Sequence, residues 1–355
     1  MKQKDSNRVA DIAKIVGVSS STVSNALNNR KGVSGEKKQE ILKIAKEMGY
    51  ERNVRKRADA TLRFVIFKRH GAVVDDTPFF SQLIKGIETE SKKSGYNLIV
   101  THLNVSEFQD NDSLEKFKND SSEGIIVLAT ELIAADLEYF KSVEVPIVML
   151  DSCFRGKPLD CVIINNEDGI YQATKYLIDS GHRKIGLLHS ANYISNFYYR
   201  RKSFYITMSD SGLYVDPAHE VHLTSTMEGA YKDMKAYLSG DKVELPEAYV
   251  AENDIIAIGA MRALNEAGIR IPEDISIIGF DDMPFCDVCT PRLTTIQVEK
   301  EAMGKLAVQM LVGKIKGTHT LPIKIQTCTK LIERESVRRI ENAPELPADG
   351  MIRIV

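Results

Sequence analysis

Acidic and amide side chains follow three short, mostly apolar runs of the sequence: Asp151, Asn253 with Asp254, and Asp281 with Asp282. Carboxylates accept hydrogen bonds and amides both donate and accept them, so these groups can hold a molecule that is rich in hydroxyl groups. A cap on the helix that follows is an equally good interpretation of each residue taken singly. Ligand binding requires that the fold bring the three positions together.

A second polar set lies on one face of a predicted helix, Ser20–Leu27, whose apolar residues share the opposite face. The polar face consists of Ser20, Ser21, Ser24 and Asn25. Small polar side chains at the start of a helix let its backbone approach a DNA groove closely, and Asn can bond adenine bidentately. This face is suited to close approach to a groove, and any three-helix mini-domain would show a similar pattern.

Two further helices are predicted beside the first one. Residues 9–16 have apolar residues at helical spacing and are followed by Gly17, while Ser19 is a good N-cap for the polar-faced helix. The third helix is expected to run from Ser34 to Gly49 and to bury Ile41, Ile44, Ala45 and Met48. The three together predict a helix-turn-helix head.

The net charge of −2 is unevenly distributed along the 355 residues. Met1–Arg63 contain fifteen Lys and Arg against seven Asp and Glu, a net charge of +8, so the remaining residues carry −10. Lys and Arg gain affinity for DNA by neutralising phosphates and releasing counterions. The distribution favours a DNA-binding head on an acidic body, with a solvated face of Lys-rich helices as the alternative.

Length and composition indicate a soluble globular protein of two to three domains, at ~150 residues per domain. No apolar run approaches the ~18 residues of a membrane helix. No signal peptide is recognisable at the N-terminus, so we expect a cytoplasmic protein. Five scattered cysteines, an odd number, argue against a disulfide framework.

The sequence contains no motif that nominates a catalytic centre, since H-E-x-x-H, G-x-x-x-x-G-K-[ST] and G-x-S-x-G are all missing. Cys286 and Cys289 form a lone C-x-x-C without the second pair that a zinc site needs, so packing is the better interpretation. We therefore expect no metal, no cofactor and no enzymatic activity. An enzyme with a fused DNA-binding head and a solute-binding protein are the alternative classes; the second would need an export signal.

From Phe64 onward, short apolar strands alternate with amphipathic helices. The predicted strands are Phe64–Phe67, Asn97–His102, Gly124–Ala129, Pro146–Leu150, Cys161–Ile164, Lys184–His189, Ala248–Ala251 and Ser276–Phe280. This alternation predicts an α/β fold with two doubly wound, mostly parallel sheets, because one sheet of ordinary width cannot hold so many strands. The polar residues at the carboxyl ends of the strands would then meet in a cleft between two subdomains.

Several motifs occur in one order along the chain. They are residues 8–29 with Val33-Ser34 and Gly49-Tyr50, residues 180–186, residues 251–254, residues 271–282 and residues 291–296. Together they resemble the lactose-repressor (LacI/GalR) family of transcription regulators over nearly the whole chain. The resemblance implies a homodimer that binds a near-palindromic operator through its heads, and a periplasmic-binding-protein-like core that senses a small molecule.

The resemblance also implies which residues contact double-stranded DNA. Base edges would be reached by Ser20, Ser21 and Asn25, and the DNA backbone by Arg8, Thr22, Asn28 and Ser34, with Asn53 and Arg57 contributing from the hinge. Many family members carry Arg where this chain has Asn25, so the operator sequence stays open.

For the effector, the resemblance implies two aromatic and four polar residues. These are Phe79, Phe80, Asp151, Arg200, Asn253 and Asp281. Aromatic faces stack on the apolar side of a sugar ring, while the polar groups bond its hydroxyls. A sugar or sugar derivative is the preferred prediction, and a purine, which would use the same aromatics, is the alternative.

We expect a head at residues 1–50, a hinge at 51–62, a core at 63–340 and a tail at 341–355. Subdomain one would comprise residues 63–163 with 291–325, and subdomain two residues 164–290 with 326–340. The hinge departs from the family pattern, because Arg52, Lys56 and Asp59 replace a Pro, an Ala and the Leu that wedges into the minor groove. Asp59 cannot act as an apolar wedge, which leaves Leu62 as the substitute to consider.

Overall fold

The computed structural model describes residues 2–27, 33–48, 60–74, 78–106, 121–240 and 243–341. The chain divides into two units, Met1–Ala58 and Asp59–Val355. We call these units the head and the core. None of the described helices is long and apolar enough to cross a membrane.

The head contains three helices, α1 (Lys2–Val16), α2 (Ser20–Leu27) and α3 (Gly35–Glu47). Their apolar faces share one buried cluster, to which each helix contributes at least one side chain: Ile12 from α1, Val23 from α2 and Ile41 from α3. The predicted three-helix head is confirmed. The predicted burial of Met48 is wrong, because α3 ends at Glu47 and Met48 lies exposed beyond it.

Local backbone chemistry sets the turn between α1 and α2. Gly17 has φ +70°, a left-handed conformation that ends α1 without a side-chain clash. Ser19 Oγ accepts a hydrogen bond of 3.1 Å from the backbone N–H of Thr22, which is the geometry of a helix N-cap. Both predictions made for this turn are confirmed.

The described part of the core contains twelve strands and six helices. The strands are β1 (Thr61–Lys68), β2 (Asn97–Asn104), β3 (Gly124–Leu128), β4 (Ile147–Leu150), β5 (Asp160–Ile164), β6 (Ile185–Ser190), β7 (Glu220–Leu223), β8 (Ala248–Ala251), β9 (Ser276–Asp281), β10 (Thr294–Val298), β11 (Lys324–Thr327) and β12 (Thr329–Ile332). The helices are α4 (Phe79–Lys93), α5 (Asn166–Asp179), α6 (Ser195–Asp210), α7 (Met227–Leu238), α8 (Asp254–Glu266) and α9 (Lys300–Ile315). The 3₁₀ segments Ala134–Phe140, Pro217–His219 and Pro284–Asp287 lie between them.

The strands form two six-stranded sheets, each the centre of one subdomain. The first sheet has the order β11-β5-β4-β3-β1-β2 and all its pairs are parallel; the second has the order β12-β10-β9-β8-β6-β7 and only β12 is antiparallel. Central strands such as β3 are buried on both faces, as expected for parallel sheets covered by helices. The predicted α/β class with two doubly wound sheets is confirmed.

Helices α4 and α9 pack against each other beside the first sheet. Their backbones approach closely because Gly86 and Gly304 lie at the contact, where a Cβ atom would collide with the carbonyl oxygens of Glu301 and Leu83. In the second subdomain, α5 packs on α6 and α7 on α8.

The chain passes between the subdomains three times in its described part, each time through a single residue. Asn165 joins β5 to α5, Glu299 joins β10 to α9, and Cys328 joins β11 to β12. The expected split at residue 291 differs from this arrangement, because β10 pairs with β9 and so belongs to the second sheet.

The start of the core also differs from the sequence prediction. β1 begins at Thr61, so the last two residues of the expected hinge belong to the first sheet. Leu62 is fully buried there, opposite Leu98 and Gly124. The idea that Leu62 replaces the minor-groove wedge is therefore wrong, because a buried strand residue cannot insert into DNA.

Candidate functional site

A small cavity lies between the two subdomains. The structure brings all six predicted effector residues together in its wall, beside six that were not predicted. The lining consists of Val73, Phe79, Phe80, Thr130, Asp151, Ile164, Ile194, Asn196, Phe197, Arg200, Asn253 and Asp281.

The start of α4 supplies the aromatic part of the wall from the first subdomain. The rings of Phe79 and Phe80 lie edge to face with centroids 5.1 Å apart, and both side chains are buried. Phe197, on α6 of the second subdomain, adds a third ring. Three aromatic side chains give the cavity faces on which a flat or ring-shaped ligand can stack.

Asp151 follows β4 and projects a carboxylate into the cavity wall. Its backbone is left-handed, with φ 68°, an uncommon conformation for a residue other than glycine. The Thr130 hydroxyl donates to Oδ2 at 2.6 Å, whereas the buried Oδ1 makes no hydrogen bond within the described residues. Burial raises the pKa of Asp151 to about 6, although Thr130 and the Arg200 guanidinium oppose the shift.

Arg200, on α6, is fixed by contacts from each of its three nitrogens. Nε donates to Asn166 Oδ1 at 2.7 Å, and Nη1 donates to the backbone oxygen of Glu252 at 2.5 Å. Nη2 lies 3.3 Å from Asp281 Oδ1, and the guanidinium stacks 3.7 Å above the Phe280 ring. The buried cation is thus compensated by protein groups before any ligand binds.

Asn253 caps a helix, which was one of the two interpretations that the sequence allowed. Its Oδ1 caps α8 by accepting a hydrogen bond of 2.9 Å from the backbone N–H of Ile256. The side chain lines the cavity as well. Because Oδ1 is committed to the cap, the amide hydrogens of Asn253 are the groups that remain for a ligand.

Asp281 ends β9 and Asp282 follows it, and both residues have positive φ values, 113° and 52°. Burial raises the pKa of Asp281, although Arg200 and Lys300 oppose the shift. Lys300, at the start of α9, donates to the backbone oxygen of Asp281 and, at 3.2 Å, to that of Asp282. Asp282 itself pairs with Arg334 at 2.8 Å and is not part of the cavity wall.

Asp254 is likewise structural. Its carboxylate accepts hydrogen bonds from the Thr295 hydroxyl at 2.5 Å and from the backbone N–H of Met283 at 2.8 Å. Burial, the largest influence, raises the pKa of Asp254 to about 7. Of each Asx pair predicted at a strand end, the first residue lines the cavity and the second supports the fold.

Asn166 and Asn196 are, with Thr130, polar residues of the site that the sequence did not predict. Asn166 Nδ2 donates to Asn196 Oδ1 at 3.0 Å, and Asn166 also accepts from Arg200, so the two amides hold the arginine in place. Asn166 comes two residues after the end of β5, and the rule that found Asp151 could have found it. Asn196 lies in segment 192–200, which is unusually aromatic, but nothing in the sequence singled out this asparagine within it.

Cys286 lies within the 3₁₀ segment Pro284–Asp287, and Cys289 follows it in the sequence. Cys286 is fully buried, and burial raises the pKa of its thiol. The Cys289 thiol donates to the backbone oxygen of Pro291 at 3.2 Å. Within the described residues, no group of three or more His, Cys, Asp or Glu side chains could hold a metal ion.

In the head, Ser20 and Ser21 are exposed at the start of α2, and Thr22 and Asn25 are partly exposed. Ser34 is exposed just before α3. Arg8 belongs to α1, but its side chain is outside the described part of the chain. Asn28, Asn53, Arg57 and Asp59 also lie outside the described residues.

Two sequence families match the chain. Residues 8–53 match the family of bacterial regulatory proteins called the lacI family, and residues 174–337 match the periplasmic binding protein-like domain. The transcriptional repressor PurR of Pasteurella multocida is 31% identical over 335 residues, which cover 93% of this chain and 98% of that protein.

Solved structures show the same fold. A LacI family regulator from Enterococcus faecium with bound ribose has a TM-score of 0.67 at 24% identity, covering 79% of this chain and 100% of that one. The lac repressor dimer bound to operator and an anti-inducer has a TM-score of 0.68 at 22% identity, covering 92% and 98%. With its matched head, its matched core and a repressor 31% identical over almost the full length, the chain belongs to the lacI family of bacterial regulatory proteins, DNA-binding regulators of transcription.

Proposed function

We propose that this regulator is a repressor whose affinity for its operator is controlled by a small neutral ligand bound between the core subdomains. The observation that carries the proposal is the cavity in which Asp151, Arg200, Asn253 and Asp281 meet three aromatic rings. A pocket with few polar groups at defined positions and apolar walls is typical of a small-molecule site.

The charges of the cavity favour a neutral ligand over an anionic one. Arg200 is the cation in the wall, and each of its nitrogens already contacts a protein oxygen. The two carboxylates, Asp151 and Asp281, offer acceptors to a ligand that donates hydrogen bonds. Hydroxyl groups meet this requirement, whereas a phosphate or carboxylate would be repelled by the carboxylates and would meet a cation that is already paired. A sugar or sugar derivative is therefore the first candidate.

A purine is the second candidate, because Phe79, Phe80 and Phe197 provide aromatic faces for a flat ring system. Its ring N–H groups could donate to Asp151. Asn253 does not separate the two classes, because its free amide hydrogens suit a ring nitrogen or a hydroxyl oxygen equally. The sugar ranks first because it has more hydrogen-bond donors than a purine for the carboxylates of the cavity.

DNA recognition belongs to the head in this proposal. Ser20, Ser21 and Asn25 would contact base edges; Arg8, Thr22, Asn28 and Ser34 would contact the DNA backbone, with Asn53 and Arg57 acting from the hinge. Two heads in a homodimer would bind two half-sites, in the manner of the lac repressor dimer on its operator. We place the protein in the cytoplasm, where its operator is accessible.

A thermal-shift screen with ribose, glucose, cellobiose, glucose 6-phosphate, glucuronate and adenine tests the ligand. A ligand at 100 times its Kd stabilises the folded state by about 2.7 kcal/mol through mass action. We expect a neutral sugar to raise Tm and to change operator retention in a gel shift. A shift caused by glucose 6-phosphate or glucuronate instead would contradict the proposal, and conversion of a ligand during incubation would indicate an enzyme.

A further inference from the structure

Glu131 lies just beyond the end of β3 and collects the backbone N–H groups of a loop from another part of the chain. Its Oε2 accepts from Arg69 at 2.9 Å, His70 at 3.0 Å and Gly71 at 2.9 Å. Its Oε1 accepts from Val73 at 3.1 Å and Val74 at 3.3 Å. One buried carboxylate thus binds five amides of residues 69–74, which we call the wall loop.

The wall loop connects β1 to the segment that leads into α4. Its residues lie outside helix and strand, so their N–H groups need acceptors elsewhere. Burial on its own would raise the pKa of Glu131, but the hydrogen bonds from the loop outweigh burial and lower it. The carboxylate is therefore ionised and provides a strong acceptor for the five amides that it binds.

The wall loop places Val73 in contact with the second subdomain. Val73 is buried against Ile194 and Phe197 of the second subdomain, and the three form a small apolar cluster separate from the main cores. All three side chains line the cavity. Glu131 does not line it, although its neighbour Thr130 does and bonds Asp151.

We propose that Glu131 is a positioning residue of the ligand cavity: by fixing the wall loop, its carboxylate places Val73 against Ile194 and Phe197 and so sets the closure of the cavity from one side. Its role as part of a ligand site rests on the proposed function. The placement of Val73 does not, since it concerns the ligand-free protein.

Binding the wall loop requires a carboxylate, because both side-chain oxygens of Glu131 accept hydrogen bonds from it. A glutamine of the same shape has one acceptor oxygen, and its NH₂ group would face two or three N–H donors. Two other side chains near Glu131 act on the same loop. His70 Nδ1 lies 3.2 Å from Oε1 and accepts a hydrogen bond of 3.2 Å from the backbone N–H of Ala72, and the Arg69 side chain pairs with Asp136. Glu131 binds the other five backbone amides of the wall loop.

The test compares Glu131→Gln with Glu138→Gln, a matched change at an exposed carboxylate on the neighbouring 3₁₀ segment. In the full-length protein, hydrogen exchange of the five amides that Glu131 binds should become roughly 10- to 100-fold faster in Glu131→Gln and stay unchanged in Glu138→Gln. The nuclear Overhauser effect between the Val73 and Ile194 methyl groups should disappear only in Glu131→Gln. Exchange in β3 and β4 should not change.

Unchanged loop exchange in Glu131→Gln would overturn the proposal, and so would a uniform loss of protection across β3, β4 and the loop, because that outcome indicates a general role in folding. If Glu131→Gln does not fold, Glu131→Asp keeps the charge but is one methylene shorter and should show a partial effect confined to the loop. Neither measurement requires a ligand, so failure here is distinct from failure of the ribose and adenine screen.

Discussion

The hydroxyl oxygens of Ser152 and Ser195 lie 2.8 Å apart, and their hydrogen bond joins the two subdomains across the cleft. Ser152 follows the cavity residue Asp151, and Ser195 precedes the cavity residue Asn196. The bond thus links the polar wall of the first subdomain to the start of α6 in the second. Opening the cleft must break it.

We predict that this pair is energetically coupled. Ser152→Ala and Ser195→Ala should each lower the free energy of unfolding, and the double variant should cost less than the sum, with a coupling of about 0.5–1.5 kcal/mol. Urea denaturation of the four proteins measures the coupling. Additive effects would mean that the hydroxyls do not bond in solution.

Asp151 gives a prediction about pH. Its pKa is raised from 3.8 to about 6, so the folded protein binds more protons than the unfolded chain between these values. Stability from this group is therefore present below about pH 4 and is lost as the pH rises through 6. Asp151→Asn should stabilise the ligand-free protein at pH 7.5 by about 2–3 kcal/mol and leave it little changed at pH 3.5.

The comparison uses the difference between Asp151→Asn and the unmodified protein at each pH, because burial also raises the pKa of Glu252 and Asp254 to about 7. Those two groups are common to both proteins and cancel. A difference in unfolding free energy that is the same at pH 3.5 and 7.5 would show that Asp151 does not titrate in this range.

Asp281 should be essential for the ligand response. Asp281→Ala removes an acceptor from the cavity and a partner from Arg200, and each lost charged hydrogen bond costs ~1.5–3 kcal/mol, or roughly 10- to 100-fold in affinity. Operator binding without ligand should persist. Asp282→Ala is the matched control, since Asp282 pairs with Arg334 outside the cavity. Equal loss in both variants would assign Asp281 to the fold alone.

Asn25 should determine one base pair in each half-site. Asn25→Ala is expected to cost ~1–3 kcal/mol on the preferred operator and to relax the preference at that position. Competition gel shifts against operators substituted at single positions measure this effect. A loss of affinity that is equal for every sequence would instead identify Asn25 as a backbone contact.

Asp59 should weaken DNA bending. With no apolar wedge, the hinge would depend on phosphate contacts from Arg52, Arg55, Lys56 and Arg57, each of which adds ~0.9 to the slope of log K against log salt. Asp59→Leu should tighten operator binding and increase the bend, as measured by circularly permuted DNA fragments. Since Leu62 is buried in β1, a sharp kink in the unmodified protein would require a wedge from elsewhere.

The sequence was most informative where burial creates a periodic pattern. All eight predicted strands are present, and those such as β3 and β8 were recognisable because their residues are apolar on both faces. β7, β11 and β12 escaped prediction because they are four-residue strands with exposed polar residues. β10 begins with two threonines, and their polarity hid a strand that is almost entirely buried.

The candidate site was predictable in its residue types but not in its internal bonding. Strand ends nominated Asp151, Asn253 and Asp281, since parallel strands direct their carboxyl ends to one edge. Nothing in the sequence shows that Asn253 commits its oxygen to a helix cap, or that Glu131 binds a loop from an earlier part of the chain. Such partners depend on tertiary placement, which a local pattern does not contain.

The three single-residue connections at Asn165, Glu299 and Cys328 limit how the subdomains can move. One residue spans at most ~3.3–3.6 Å of extended chain, so the subdomains cannot separate at this edge by more than a fraction of that length. The connections lie side by side, because Ile164 pairs with Thr327 and Val298 pairs with Thr329, so rotation about a line through them is the principal movement that remains. A ligand in the cavity can therefore change the angle between the two subdomains. The displacement that this rotation produces grows with distance from the connections.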